Sequence, residues 1–552
     1  MPVINFKYGD LCSLIGKEVP QEVLIERIPL IGADMHHTEG FCEDMSVEFF
    51  PDRPDLFCVE GLARALRAFL DITPGLKTYA VEDSDIIAII EDPVLNVRPC
   101  FACAVVKDVN VTDDLIRSLM ELQEKLHMTI GRKRSKLAIG VHDLDMVKPP
   151  FRYTAVKPGE ISFVPLNRTE KMDLEEILKA HDKGKEYASL LNKMEKYPII
   201  LDKNNDVLSF PPIINGALTT VTTRTKNIFI DVTGTDQKAV KGALDIVSTA
   251  LAERGGKICR VRVVNGSSDY SPDLREMKTQ ISIKECCKFL GIDLSGNEMK
   301  EAIERMGMSA SVSGDIVDML IPSTRLDIMH KVDIFEDVAI GYGFEHFGGG
   351  RYVSEQTPGE LGPVTSFSNK MRDVMIGLGF TEVTTLTLSN QKDEFERSGL
   401  PLKTSTRVTN PITEDHTCLR SYLMPSLMRI LRHNKHRDLP QRIFEIGFVS
   451  DEHHTAPHMC GMVAASKTSF TEIKSITESV AREMAIDYKI SPCEYRTFID
   501  GRGAFISSNG MVVGFFGEVS PQVITDYEMT HPVMMFEIDI SNIIKEKAGS
   551  MF

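Results

Sequence analysis

The chain has no run of eighteen apolar residues, so nothing in it reads as a membrane-spanning helix. Its start, Met1-Pro-Val-Ile-Asn-Phe-Lys-Tyr-Gly-Asp10, lacks the basic-then-apolar order of a secretory leader, and a cytoplasmic protein is expected. There is no G-x-x-x-x-G-K-[ST] and no H-E-x-x-H, which removes P-loop phosphate binding and zincin chemistry. Gly341-Tyr-Gly343 and Gly501-Arg-Gly503 lack the third glycine of a dinucleotide fingerprint. Internal repeats and low-complexity tracts are missing as well. Cysteine is sparse. Eleven residues in 552, an odd number without framework spacing, fit free thiols in a reducing compartment. The one CxxC, Cys100-Phe-Ala-Cys103, sits in an apolar strand-like run with no second pair at zinc-ribbon spacing. Positive charge is in deficit: 63 Lys and Arg against 79 Asp and Glu leave −16. That excludes a protein that coats nucleic acid non-specifically, while allowing local basic patches.

What is present is an ordinary globular composition, 42% hydrophobic and 26% charged, which excludes disorder as the main state. At about 150 residues per domain the length predicts three or four domains. Residues 1–90 read as short strands and turns followed by a helix after Pro51-Asp-Arg-Pro-Asp55. Asp55 is its expected N-cap, and Leu56, Val59, Leu62, Leu66 and Leu70 form its buried face. Residues 91–265 alternate strands and helices. Expected elements are a helix over 115–128, strands over 137–141, 207–214 and 227–232, a helix over 238–254 and a strand over 258–264. Residues 266–271 read as a linker. Residues 272–347 form a compact unit of three helices and a hairpin turning at Ser313-Gly-Asp315, and Gly348-Gly-Gly350 reads as the next boundary. Residues 351–552 carry helices over 366–378 and 419–433 and strands over 442–449, 512–518 and 533–540. The fold class is multidomain α+β, or mixed α/β.

Three constellations carry chemistry. In the first, Asp333, Glu336 and Asp337 fall at i, i+3 and i+4, on one side of a helix, with Asp327 six residues earlier. Converging carboxylates suit a hard cation such as Mg²⁺. Acids in a first helical turn equally serve the macrodipole. In the second, the apolar strand ending at Asn215 and the one ending in Asp231-Val-Thr233-Gly-Thr235 resemble pocket-lining strands, whose amide, carboxylate and hydroxyl can hold a substrate or a water. A turn at Asn215-Gly and a helix cap near Asp231 are the plainer alternatives. His142, in Leu137-Ala-Ile-Gly-Val-His-Asp-Leu-Asp145, can line the same pocket or be structural. In the third, Arg429, Arg432, His433, Lys435, His436, Arg437 and Arg442 follow a leucine stripe, Leu419, Leu423, Leu427 and Leu431. They complement the helix dipole or meet phosphates. Arg132–Lys136 is a second basic run. His453, His454 and His458 cluster in what reads as a polar hairpin turn.

Taken in order, these stretches resemble the β subunit of phenylalanyl-tRNA synthetase in its shorter archaeal/eukaryotic form. The resemblance rests on Glu48-Phe-Phe-Pro-Asp-Arg-Pro-Asp-Leu56, Val59-Glu-Gly-Leu-Ala-Arg64, Pro211-Pro-Ile-Ile-Asn215 and Asp231-Val-Thr-Gly-Thr235. It continues through Arg325-Leu-Asp-Ile328, Phe335-Glu-Asp-Val-Ala-Ile-Gly-Tyr-Gly343, Asn410-Pro-Ile-Thr413, Leu419–Leu427 and Pro440–Gly447, and so spans the chain. It implies a B1-like domain (1–90), a B3/B4-type editing domain (91–265), a winged-helix-like B5 domain (272–347) and a class II synthetase catalytic-like antiparallel-sheet domain (351–552). It also implies an α₂β₂ tetramer in which the α subunit binds ATP and L-phenylalanine and charges tRNA(Phe). The β chain then supplies tRNA docking, assembly and hydrolytic editing of Tyr-tRNA(Phe). Mg²⁺ falls to Asp327, Asp333, Glu336 and Asp337, and the editing pocket to Asn215, Asp231 and Thr233.

Arg442-Ile-Phe-Glu445 only loosely matches the phosphate-clamping arginine motif of a class II site, and Val513–Ser520 contains no arginine. The last domain is therefore expected not to activate an amino acid. The rival readings are a scaffold subunit with no editing and a free-standing aminoacyl-tRNA deacylase.

Overall fold

The computed structural model describes residues 2–36, 40–192, 194–348, 359–541 and 543–544. The chain divides into two compact units, residues 1–352 and 353–552. Among the described residues no helix is long and apolar enough to cross a membrane.

The first unit is built on a ten-stranded mixed sheet. Its order is Ile214–Asn215, Val207–Phe210, Tyr197–Leu201, Phe151–Val156, Val81–Ile90, Lys257–Asn265, Cys100–Lys107, Ile228–Gly234, Leu137–Asp143, with Ser267–Ser271 added beside Lys257–Asn265. The central strands read as unbroken apolar runs because both faces are covered. All seven residues of Ile228–Gly234 are buried, and the helix Gln237–Glu253, capped by Asp236, packs against that strand and Cys100–Lys107.

Two expectations change here. Residues 267–271 form a strand rather than a linker, because Ser267 to Ser271 complete a ladder with Asn265 back to Val261. Val81–Ile90 belongs to this sheet, parallel to Lys257–Asn265, so a limit at residue 90 falls inside the sheet.

The N-terminal region is richer in helix than expected. Three strands, Val3–Lys7, Asp44–Phe49 and Ala33–His36, frame the helices Tyr8–Ile15 and Gln21–Arg27. The helix after the Pro-Asp turn runs Val59–Phe69 with Cys58 at its N-cap. Asp55 is not that cap: its carboxylate takes two 2.9 Å hydrogen bonds from Arg53. Burial raises the Asp55 carboxyl, but Arg53 and Arg325 outweigh it and hold the group at about 2.

Residues 277–342 form a three-stranded sheet, Met277–Ser282, Ile316–Ile321 and Ser309–Ser313, with helices Ile283–Leu290, Gly296–Arg305 and Lys331–Tyr342. Gly314 at φ +62° makes the hairpin turn. The boundary expected at 348–350 falls largely on residues outside those described.

The second unit is a seven-stranded sheet in the order Thr381–Glu382, Gln441–Ser450, Thr455–Ala464, Val533–Asp539, Met511–Val519, Phe498–Ser508, Lys489–Pro492. It is antiparallel except for its first pair. Side chains alternate across it. Met459 and Val463 join one core with the helices Pro363–Gly377 and Phe470–Glu483. Cys460 and Met462 join the other with the helix Met424–His433. That helix starts later than expected, so Leu419 sits in a two-residue strand and only Leu423, Leu427 and Leu431 keep the buried stripe. All eleven cysteines are free and seven are buried, and burial pushes the Cys103 and Cys460 thiols well up, which suits inert thiols.

Candidate functional site

A cavity of about 210 Å³ opens where Leu137–Asp143, Ile228–Gly234, the helix Asp113–Met128 and the strands Val207–Phe210 and Ile214–Asn215 meet. Phe210, Pro211, Pro212, Ile213 and Ile139 give it apolar walls. Asp231 and Asn215 both line it. Asp231 is 1% exposed, and its Oδ2 lies 2.7 Å from His142 Nε2, whose other nitrogen lies 2.7 Å from Thr219 Oγ1. His142 is wholly buried behind the wall, so it orients the carboxylate and does not itself reach a ligand. Gly140 leaves room for this pair: a Cβ there would stand 2.1 Å from Asp231 Oδ2.

Thr233 does not reach the cavity. It is fully buried, and its hydroxyl takes a 3.0 Å hydrogen bond from Arg98 Nε, while Arg98 Nη2 donates to the Thr233 carbonyl. Burial pulls the Arg98 guanidinium down to about 10. Asp231 and Thr233 share a strand face, as their i, i+2 spacing requires, but the arginine that claims one of them comes from 135 residues away.

Among the described residues two buried polar atoms on the cavity wall have no partner, Ser209 Oγ and Arg134 Nε, and a third, His127 Nδ1, has only a distant one. His127 Nε2 accepts the Ile139 amide at 2.8 Å, so its proton sits on Nδ1, where the nearest acceptor, Glu124 Oε1, is stretched to 3.5 Å. Burial lowers its pKa and keeps the ring neutral. Buried polar groups are normally satisfied, so orphaned donors on one cavity mark a place for a polar ligand. Periodicity gave no sign of His127, Arg134 or Ser209. Arg134 lies in the second basic run, yet it is 8% exposed and donates to the Pro212 and Ile213 carbonyls and to Glu124. Only Arg132 and Lys133 of that turn stay exposed.

The acidic cluster is arranged differently from its sequence reading. Arg325 Nη2 lies 2.7 Å from Asp327 Oδ2 and 2.6 Å from Asp337 Oδ2, so a guanidinium holds the place between two of the carboxylates. Asp333 Oδ2 accepts the Met329 and His330 amides and caps its helix. Among the described residues no three acidic, His or Cys side chains converge as a ready cage. Spacing along a helix cannot reveal an arginine folding back from two residues before Asp327. The donor chemistry nonetheless fits a hard cation: the set is all carboxylate oxygen. Glu336 is raised by burial and by its neighbours Asp337, Asp52, Asp333 and Asp327, which is crowding a cation would relieve.

In the second unit, Arg420 and Glu445 pair at 2.9 Å, both buried. Glu537 accepts the Leu423 and Met424 amides and meets His458 Nδ1 at 2.8 Å. His458 therefore lies in the sheet, apart from the turn that exposes His453 and His454. Burial raises Glu394 to about 7. Arg442 pairs with Glu472 at 3.1 Å and Arg432 with Glu528 at 2.6 Å.

The chain matches three family descriptions in order: the B3/4 domain over residues 109–256, the tRNA synthetase B5 domain over 279–344, and the phenylalanyl tRNA synthetase beta chain CLM domain over 352–540. It is 44% identical over 552 residues to the phenylalanine–tRNA ligase beta subunit of Methanosarcina acetivorans, covering 99% of this chain and 100% of that one. It is 42% identical to the protein of the same name from Archaeoglobus fulgidus, covering 98% of each. An N-terminal fragment of the phenylalanyl-tRNA synthetase beta subunit from Pyrococcus horikoshii aligns with a TM-score of 0.59 at 38% identity, covering 62% of this chain and 100% of the fragment. Fold, module order and relatives together define a subunit of an aminoacyl-tRNA synthetase. More narrowly, the chain belongs to the phenylalanine–tRNA ligase beta-subunit family.

Proposed function

We propose that the cavity beside Asp231 hydrolyses Tyr-tRNA(Phe), within a chain that docks tRNA(Phe) and assembles with an α subunit as an α₂β₂ tetramer in the cytoplasm. In this reading the α subunit binds ATP and L-phenylalanine and forms the aminoacyl bond. The catalytic-like sheet of the second unit assembles and docks without activating an amino acid. Its central arginine, Arg420, is committed to Glu445, and Arg442 to Glu472.

One observation carries the editing reading: Asp231, a fully buried carboxylate on an apolar-walled cavity whose Ser209 hydroxyl has no partner among the described residues. A phenylalanine pocket rejects an isostere that only adds a hydroxyl by about 10². A site built to hydrogen-bond that hydroxyl discriminates against the analogue lacking it by about 10⁴–10⁵. Asp231 and Ser209 would accept from and donate to the tyrosine phenol. Phenylalanine would leave the Ser209 hydroxyl, and the Asp231 oxygen that His142 does not hold, without that partner. The ring would lie against Pro211, Pro212 and Phe210. Asn215, half-buried on the same wall, would hold the attacking water or the ester carbonyl, with a tRNA 3′-end hydroxyl assisting. Asp327, Asp333, Glu336 and Asp337 are the residues that would hold Mg²⁺, which when bound supplies positive charge to the acidic cluster.

The test is deacylation of Tyr-tRNA(Phe) against Phe-tRNA(Phe) by this chain in complex with its α subunit. Tyrosine-selective hydrolysis is expected. Asp231→Ala and Ser209→Ala should each slow it at least about tenfold while aminoacylation persists. Wild-type clearance by Asp231→Ala would remove the assignment. No hydrolysis by the wild-type complex, with aminoacylation intact, would leave an assembly and docking subunit.

A further inference from the structure

A second cavity, of about 230 Å³, lies among the helix Val59–Phe69, the segment 73–79 and the residues Pro322–Arg325 that follow the hairpin. In a chain of net charge −16, five cationic side chains line it: Arg53, Arg64, Arg67, Lys77 and Arg325. Only two carboxylates, Asp55 and Glu276, share the lining. Part of the positive charge is matched within the protein. Arg53 clamps Asp55, Arg67 pairs with Glu253, and Arg325 holds Asp327 and Asp337.

Donors are nonetheless left over on the lining. Arg325 is 6% exposed, and its Nη1 has no hydrogen-bond partner among the described residues. Arg64 donates only to neutral oxygens, Thr249 Oγ1 at 3.0 Å, Tyr79 Oη at 3.3 Å and the Asp55 carbonyl at 3.5 Å. Lys77 is exposed on the lining and forms no ion pair among the described residues. A buried guanidinium N–H without an acceptor calls for an explanation, and the planar fork of arginine suits carboxylate and phosphate oxygens above other ligands. The rest of the wall is apolar, formed by Ala65, Pro74, Leu76, Leu274 and Met306. An apolar wall with a few convergent polar groups is how small-molecule sites are built.

We propose that this cavity binds a small organic anion, a phosphate or carboxylate group carried on an apolar or aromatic body. Its oxygens meet Arg325 Nη1, Arg64 and Lys77, and its body lies on Leu76 and Met306. The site is separate from the cavity at Asp231 and shares none of its lining residues.

The experiment is isothermal titration of the full chain in complex with its α subunit, at constant ionic strength, with phenyl phosphate, benzoate and orthophosphate as probes. Saturable binding of phenyl phosphate or benzoate is expected, tighter than that of orthophosphate because only the first two use the apolar wall. Binding of phenyl phosphate alone supports a phosphate monoester, and binding of both supports a general oxyanion site. Lys77→Glu changes an exposed residue and leaves the core intact. Ala65→Met fills the apolar half without touching a charge. Each should weaken binding roughly tenfold or more. Absence of saturable binding for all three probes would overturn the proposal, leaving water as the partner of Arg325 Nη1. Affinity unchanged in both variants would overturn it as well.

Discussion

His142 Nε2 stands 2.7 Å from Asp231 Oδ2 across neighbouring strands, placed there by the pairing of Asp231 with Gly140 and Phe229 with His142. The imidazole holds one carboxylate oxygen from behind the cavity wall, and Thr219 fixes the ring from its far side. His142→Leu should therefore lower Tyr-tRNA(Phe) hydrolysis at least about tenfold with aminoacylation unchanged, and His142→Gln, which keeps an amide donor, should recover part of the loss. Equal activity in the two variants would show that the ring serves packing alone.

Gly140 faces the same pair, and its substitution tests the pocket from a different strand. An added Cβ would approach Asp231 Oδ2 to 2.1 Å and His142 Nε2 to 2.7 Å. Neither group can swing away, since each is buried and tied to the other. Gly140→Ala should cost about 1–3 kcal/mol in urea unfolding and abolish editing. A variant with wild-type stability and wild-type clearance would sink the arrangement described for Asp231.

Sequence carried the elements further than the site. The leucine face of Val59–Phe69, the hairpin at Gly314 and the apolar strand at Asp231 were legible because each depends on local periodicity or turn chemistry. What was not legible depends on contacts across long separations. Arg98 reaches Thr233 over 135 residues, and Ser209 joins Asp231 only because their separate strands border one cavity. Residues 267–271 looked like a linker because Gly266-Ser-Ser-Asp reads as a turn, whereas Val261–Asn265, the stretch of an interior strand that Cys100–Lys107 leaves unpaired, recruited them as a strand. His142, read as structural or pocket-lining, is buried off the cavity and bonded to Asp231, which lines it.

Asp245 gives the first unit a pH dependence. Burial in the helix Gln237–Glu253 raises its carboxyl from 3.8 to about 7. The folded chain then holds a proton that the unfolded chain releases near pH 4. This contribution is full below that pH and is lost as pH rises toward 7. Asp55, held at about 2, acts in the opposite sense: its contribution is present above 3.8 and is lost as pH falls toward 2. Asp245→Asn should stabilise the chain at pH 8 by about 1–3 kcal/mol and flatten the thermal stability profile between pH 4 and 7. A parallel profile in the variant would place the titration elsewhere.

Arg134 lies in a basic turn but is spent on protein oxygens, at 3.2 Å to the Pro212 carbonyl and 3.0 Å to that of Ile213. Arg134→Met should loosen the proline wall and raise the KM for Tyr-tRNA(Phe) while leaving the salt dependence of tRNA binding unchanged. Arg132→Ala with Lys133→Ala, both exposed, should do the reverse and reduce the salt slope if this turn touches the tRNA backbone. Filter binding at two salt concentrations separates them.

Glu336 tests the acidic cluster. Its carboxyl is raised by burial and by Asp337, Asp52, Asp333 and Asp327, so its negative charge opposes folding at neutral pH when no cation is present. In chelator, Glu336→Gln should therefore raise Tm slightly, since the residue is only partly desolvated and one of several like charges is removed. Adding Mg²⁺ should raise the Tm of the wild-type chain in a saturable way, as any ligand of the folded state does, and raise that of the variant less. The smaller Mg²⁺ shift in the variant separates cation binding from simple repulsion. If Mg²⁺ moves both proteins equally, the cation acts elsewhere, and Arg325 remains the counter-ion on which Asp327 and Asp337 depend.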